Sequence, residues 1–88
     1  MRLLATPRFL KSIPMGRRSE VLAAMRAAAV AYGQPHLHAG VGLRRIPPLM
    51  ECRCGLDLRL VFQREGADLV YHLCGTYDEV ARFLRNKR

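Results

Sequence analysis

The 88-residue sequence predicts a single α+β domain in which an N-terminal helical hairpin packs on a small antiparallel β-sheet closed by a C-terminal helix. Three observations carry that expectation. Apolar residues between Phe9 and Tyr32 recur near helical spacing; residues 43–74 form short apolar runs broken by Pro47, Pro48, Gly55 and Gly66; residues 77–85 return to a helical pattern. Helices followed by consecutive strands imply a layer of helices on an antiparallel sheet. A chain of this length supports one core and leaves no room for a separate cofactor domain.

Residues 1–5 are short and apolar enough for an edge strand. Thr6-Pro7 then sets a capping hydroxyl before a proline at the first helical position. Phe9, Leu10 and Ile13 fall on one face of the short helix that follows, and Pro14 with Gly16 ends it. Ser19 is the expected cap of a second helix, whose Leu22, Met25, Ala29 and Tyr32 make an inward stripe stopped by Gly33. Residues 34–42, with Pro35, His36, His38 and two glycines, read as a loop. Residues 43–46 give a brief strand closed by Pro47-Pro48, which cannot continue a central ladder. Further strands are expected at 49–54, 57–64 and 69–74, with a turn or bulge at Gly55 and a turn at 65–68. A helix over 77–85 completes the chain. The helices are expected on one sheet face, leaving the other partly open.

Fifteen Lys and Arg against seven Asp and Glu give a formal net charge of +8. Lys11 and Lys87 are the only lysines, so the excess is arginine, whose planar fork grips phosphate bidentately and stacks on bases. The expected partner is a nucleic acid or an acidic protein. No window reaches the roughly 18 apolar residues of a membrane span, and Arg26 interrupts the alanine-rich run 21–32. With no secretory apolar core at the N-terminus, a cytoplasmic location is expected. Cys52, Cys54 and Cys74, an odd number, read as reduced thiols. Together with His36, His38 and His72 they are zinc's preferred ligand types, but His-x-His and Cys-x-Cys depart from structural zinc spacings. No metal or cofactor is expected, and the alternating cysteines read as small buried strand residues.

An arginine in the middle of a strand needs a reason. Arg59 either pairs across the sheet with Glu51 or Asp57, or meets an anion. Arg45, Arg53 and Arg59 lie in strands expected to be neighbours, and they form one concave basic surface if their pleats agree. Arg44 and Arg45 also read as edge charges that discourage sheet-to-sheet pairing, a reading that for Arg44 stands level with the functional one. Tyr77 enters the last helix, where Asp78 and Glu79 complement the helix dipole.

The succession LRRI, MECRCGLDLRLVF and GADLVYHLCGTYDEVARFL, with TPRFLKSI ahead of it, resembles the RelE/ParE superfamily of toxins from bacterial type II toxin–antitoxin systems. Members show a Leu-Arg-basic strand, a Glu-x-Arg strand, an Arg-hydrophobic-hydrophobic-Phe/Tyr strand and a Gly-Thr-His-Asp-Glu-Val corner. The resemblance implies a compact toxin that enters the ribosomal A site and cleaves mRNA without a metal, restrained by an acidic antitoxin. It places Arg59 at the scissile phosphate, Arg53 and Arg45 in support, Glu51 as base or as orienting partner of an arginine, and Tyr77 at the corner. Arg44, Arg45, Arg64, Arg82 and Arg85 are the further expected RNA contacts. Two positions depart from the pattern: Tyr77 replaces the usual histidine or arginine, and Ala81 stands where many relatives carry tyrosine. These departures keep open a ParE-like inhibitor of DNA gyrase and a non-catalytic binding module of the same fold.

Overall fold

The computed structural model describes residues 1–86. Strand β1 (Arg2–Ala5) leads into helix α1 (Pro7–Ser12) and helix α2 (Arg18–Ala31). A 3₁₀ turn (Pro35–Leu37) and a short helix α3 (His38–Val41) connect to strands β2 (Arg44–Ile46), β3 (Leu49–Cys54), β4 (Leu58–Glu65) and β5 (Asp68–Gly75), and helix α4 (Tyr77–Arg85) follows. The five strands form one sheet in the order β1-β5-β4-β3-β2. Four of them run as the expected antiparallel meander, while β1 pairs with β5 in parallel, so the sheet is mixed.

Strand alternation divides the sheet into two faces, because residues directly opposite one another point the same way. Met50, Cys52, Leu58, Leu60, Phe62, Leu69, Tyr71 and Cys74 form the main core with Phe9 of α1 and Val21, Met25 and Ala28 of α2. Tyr71 stacks on Phe62 with ring centroids 4.9 Å apart and donates its hydroxyl to the Met25 carbonyl at 3.1 Å. The opposite face carries a second cluster, Leu49, Val61, Leu73, Val80 and Phe83, covered by α4. The helices therefore occupy both faces, not one. The N-terminal pair covers the first face and α4 covers part of the second. Between Val61 and Phe62 the register slips, His72 being the extra residue in β5.

Local signals explain most element ends. The Thr6 hydroxyl accepts from the Phe9 amide at 3.1 Å and Pro7 opens α1. Gly55 and Gly66 take positive φ, 65° and 63°, at the β3–β4 and β4–β5 turns. At α4, the Thr76 and Glu79 side chains each accept from the other's backbone amide, a reciprocal capping box. Those bonds hold the Glu79 carboxyl below its ordinary value.

Several expectations shift by about a turn or less. Leu10 is 50% exposed, so the buried side of α1 is Phe9 and Ile13. In α2 the inward stripe is Val21, Met25, Ala28 and Ala31, and Leu22 is 41% exposed. An alanine-rich helix offers several faces of similar apolarity, and its packing against β1, β3 and α3 selects among them. Ser19 lies inside α2; the helix starts after Arg17, which caps nothing with its side chain. Arg17 instead bonds Glu20 in the first turn at 2.8 and 2.9 Å and Asp57 in the β3–β4 turn at 2.6 Å. The span expected as a loop, 34–42, contains the 3₁₀ turn and α3, ended by Gly42 at a φ of 63°.

The Arg17 guanidinium holds the Glu20 and Asp57 carboxyls below their ordinary values through its hydrogen bonds. Their folded values are the lower ones, so the contribution is present above the usual carboxylate range and is lost as pH falls through the depressed values. Asp57→Asn is expected to lower the thermal midpoint at neutral pH and to converge with wild type in acid; parallel melts across pH check this. Phe9→Ala, emptying the centre of the main core, is expected to cost about 3–5 kcal/mol in urea unfolding.

Candidate nucleic-acid interface

Register decides which arginines can act together. Arg44 of β2 lies opposite Glu51 of β3, which lies opposite Val61 of β4. Arg59 is two residues from Val61 and therefore diagonal to Glu51 on the same face. The Glu51 side chain sits between the two arginines: its Oε1 is 3.6 Å from Nη1 of Arg59 and 3.8 Å from Nη1 of Arg44. Glu51 is only 3% exposed, and among the described residues its Oε1 has no hydrogen-bond partner. Both separations exceed hydrogen-bond length, so the guanidinium donors are not spent on Glu51. The Arg59 guanidinium lies over the Tyr77 ring, 5.5 Å from its centroid. Tyr77, the first residue of α4, is 61% exposed.

Arg44, Glu51, Arg59 and Tyr77 thus come together where α4 leaves the sheet face open. Of the two pairings open to Arg59 across the sheet, the structure selects Glu51, since Asp57 is bound by Arg17. The other expected contacts distribute differently. Arg45 lies opposite Met50, on the face of the main core, and does not join Arg59. Consecutive strand residues cannot share a face, and the Pro47-Pro48 turn sets the register that favours Arg44. Arg53 is opposite Arg59 in register, but its guanidinium reaches over the sheet edge to the Ala39 carbonyl at 3.1 Å. Gly42 permits this approach: a Cβ there would fall 2.5 Å from Nε of Arg53. Arg64 belongs to the opposite face, with its guanidinium 5.8 Å from the Tyr32 ring and its Nε donating to the Gly66 carbonyl. Arg82 is exposed on α4 near Glu79, away from the cluster.

Arg85 has a different place. A groove of about 410 Å³ runs between the β2–β3 hairpin and α4, with Arg44 and Arg85 among its lining residues and Ile46, Pro47, Pro48, Leu49, Ala81 and Leu84 as its walls. A smaller cleft lined by Glu51 and Tyr77 shares Arg44, Ile46, Ala81 and Leu84 with that groove, so the two are continuous. These apolar lining residues were not expected from the sequence. The one available signal was Ala81, a small residue on the face of α4 that otherwise carries Tyr77, Leu84 and Arg85.

The architecture has solved counterparts. YafQ from E. coli aligns over 91% of this chain and 98% of its own, with a TM-score of 0.67 and 13% identity. The fold is that of YafQ. YafQ in the E. coli DinJ–YafQ toxin–antitoxin complex aligns over 89% of this chain and 93% of its own, with a TM-score of 0.67 and 11% identity. A copper-bound mutant toxin from Helicobacter pylori covers 91% of this chain and 98% of its own, at 18% identity and a TM-score of 0.63. No protein-family model matches the sequence, and no curated protein does. The YafQ fold is the RelE-like toxin fold expected from the sequence. Among the described residues, no helix is long and apolar enough to cross a membrane.

The cysteines lie outside the cluster. Cys52, Cys54 and Cys74 are free thiols buried on the main-core face, as strand alternation implied. Burial pushes the Cys52 thiol up to about 12 and the Cys74 thiol up to about 11. Thiols held protonated are poor nucleophiles. The folded protein is expected to resist iodoacetamide at mildly alkaline pH and to take three adducts per chain once unfolded in denaturant, read by intact mass.

Proposed function

We propose that this protein is the toxin of a type II toxin–antitoxin pair and cleaves mRNA on the ribosome. The observation that carries this reading is the meeting of Arg44, Arg59 and Tyr77 around buried Glu51 on the open part of the α4 face. Two guanidinium groups with uncommitted donors, an adjacent phenol and a continuous groove suit a single-stranded phosphodiester. In such a cleavage the ribose 2′-oxygen passes its proton to water and attacks the neighbouring phosphorus. The bond to the 5′-oxygen then breaks, and that oxygen takes up a proton.

The crowded phosphorane gathers negative charge, and fixed donors aimed at it are the main source of rate. Arg59 and Arg44 supply them. Tyr77, exposed beside Arg59, is the group placed to protonate the leaving oxygen. Glu51 lies beneath both arginines with almost no surface, so a ribose hydroxyl does not reach it; it orients the guanidinium groups. Arg53, bound to Ala39, is turned away from the cluster and takes no part in this reading. Arg85 extends the basic path along the groove.

The partner that restrains such a toxin would be acidic, in keeping with the net charge of +8. The DinJ–YafQ complex, in which a chain of this fold is bound by its antitoxin, supports that reading. Ala81 in place of a tyrosine favours keeping gyrase inhibition as the second reading, since that activity needs no RNA-cleaving group.

Arg59→Ala is expected to abolish growth arrest on induced expression while the circular-dichroism spectrum and melting remain near wild type. Mapping mRNA 5′ ends on translating ribosomes should show codon-phased cuts with the wild type and none with the variant. Inhibition of gyrase supercoiling without such cuts would replace the endonuclease with the gyrase reading. Arg44→Ala should weaken binding to single-stranded RNA and reduce the log–log salt slope by about 0.7, one phosphate contact. Arg45→Ala, on the other face, should leave that slope unchanged.

A further inference from the structure

We infer that this protein pairs with a second copy of itself through a recess between α2, α3 and the β3–β4 turn. The recess holds about 460 Å³, with Ala24 and Ala27 of α2 as one wall and Gly40 and Val41 of α3 as the other. Arg53, Gly55 and Leu56 complete its lining. Gly40 has nothing within 4 Å of the place a Cβ would take, so the hollow is open above it. Leu56 stands at the rim fully exposed. Met15, also fully exposed, belongs to the same end of the molecule, since Arg17, two residues on, bonds Asp57 beside Leu56. Bare apolar surface gathered around a hollow marks a contact surface.

Shape favours a copy of this chain as the occupant. A projection beside a hollow is complementary to itself when the surface is rotated by half a turn about an axis passing between the two, so each Leu56 enters the other chain's recess. Charge points the same way. The charged groups bordering the recess are Arg53 and, around Gly55, Arg17, Glu20 and Asp57; two positive and two negative charges cancel. Arg18 and Arg26, spaced four residues to either side of Leu22, lie on the other flank of α2. A chain of net charge +8 repels its own copy over most directions of approach, and does so least at this locally neutral, apolar end. An acidic partner finds little here to draw it. Arg44, Arg59 and Tyr77 line no part of the recess, so the pairing leaves the arginine cluster open and is independent of RNA cleavage.

The purified full-length protein can be followed by sedimentation velocity from micromolar to millimolar concentration, where it should pass from monomer to dimer. Added salt should tighten the dimer, because it screens the residual repulsion between two chains of net charge +8. Leu56→Asp removes the projection and Ala27→Phe fills the hollow, both at exposed positions. Each should weaken the dimer by about a hundredfold, the scale of one leucine burial lost on either side of the axis. A monomer up to millimolar concentration, a dimer of undiminished strength in either folded variant, or a dimer that loosens as salt rises would each overturn the pairing. If one variant unfolds, the other variant and the salt series decide the matter.

Discussion

A single carboxylate organises the open face of the sheet. Glu51 is placed on β3 between strands that each bring an arginine, with its Oε1 3.8 Å from the Arg44 guanidinium and 3.6 Å from that of Arg59. Two guanidinium groups brought together without it would repel, an effect that solvent softens at Arg44, whose side chain is 62% exposed. A carboxylate buried alone would be costlier still. Three charges in adjacent strands are thus interdependent, and the pairing register of β2, β3 and β4 is what keeps them so. The long separations to Glu51 leave the arginines attracted to the site but not saturated by it.

The two clusters of apolar residues serve different ends. The main core, with the Tyr71 ring in contact with both Phe9 and Phe62, ties α1 and α2 to the sheet and sets the shape of the molecule. The smaller cluster holds α4 on the other face through Val80 and Phe83. Arg8, from α1, lies 4.8 Å from the Phe83 ring centroid and links the N-terminal helix to this second layer. Because α4 covers only part of its face, it acts as one wall of a groove while the β2–β3 hairpin acts as the other. Function on this fold is then a matter of what the uncovered remainder displays.

Much of this was legible in the residues and some was not. Arg59 could be singled out because a charge inside an apolar strand requires a partner, and the partner it has, Glu51, was one of the two the sequence offered. The cap at Thr6, the turns at Gly55 and Gly66 and the helix after Thr76 follow from short-range chemistry and appear where expected. Long-range relations did not follow. Nothing local tells that β1 pairs in parallel with a strand more than sixty residues away. Arg44 and Arg45 are adjacent and chemically identical, so only the register across the Pro47-Pro48 turn assigns one to the site and the other to the opposite face. Val21 and Leu22 posed the same problem in α2, where alanines leave the helix little rotational preference of its own. The groove was hidden for a related reason: its walls come from two elements thirty-odd residues apart in sequence.

The box that begins α4 has an effect on the site's two ends. Tyr77 comes directly after Thr76, so reciprocal bonds between that residue and Glu79 pin the phenol's backbone in place beside Arg59. Arg85 closes the same helix, whose last turn is tied off by the Asn86 amide donating to the Arg82 carbonyl. One helix therefore sets both the Tyr77 ring over Arg59 and the Arg85 side chain in the groove. Lengthening or shortening that helix would shift Arg85 against the groove while Tyr77 kept its place.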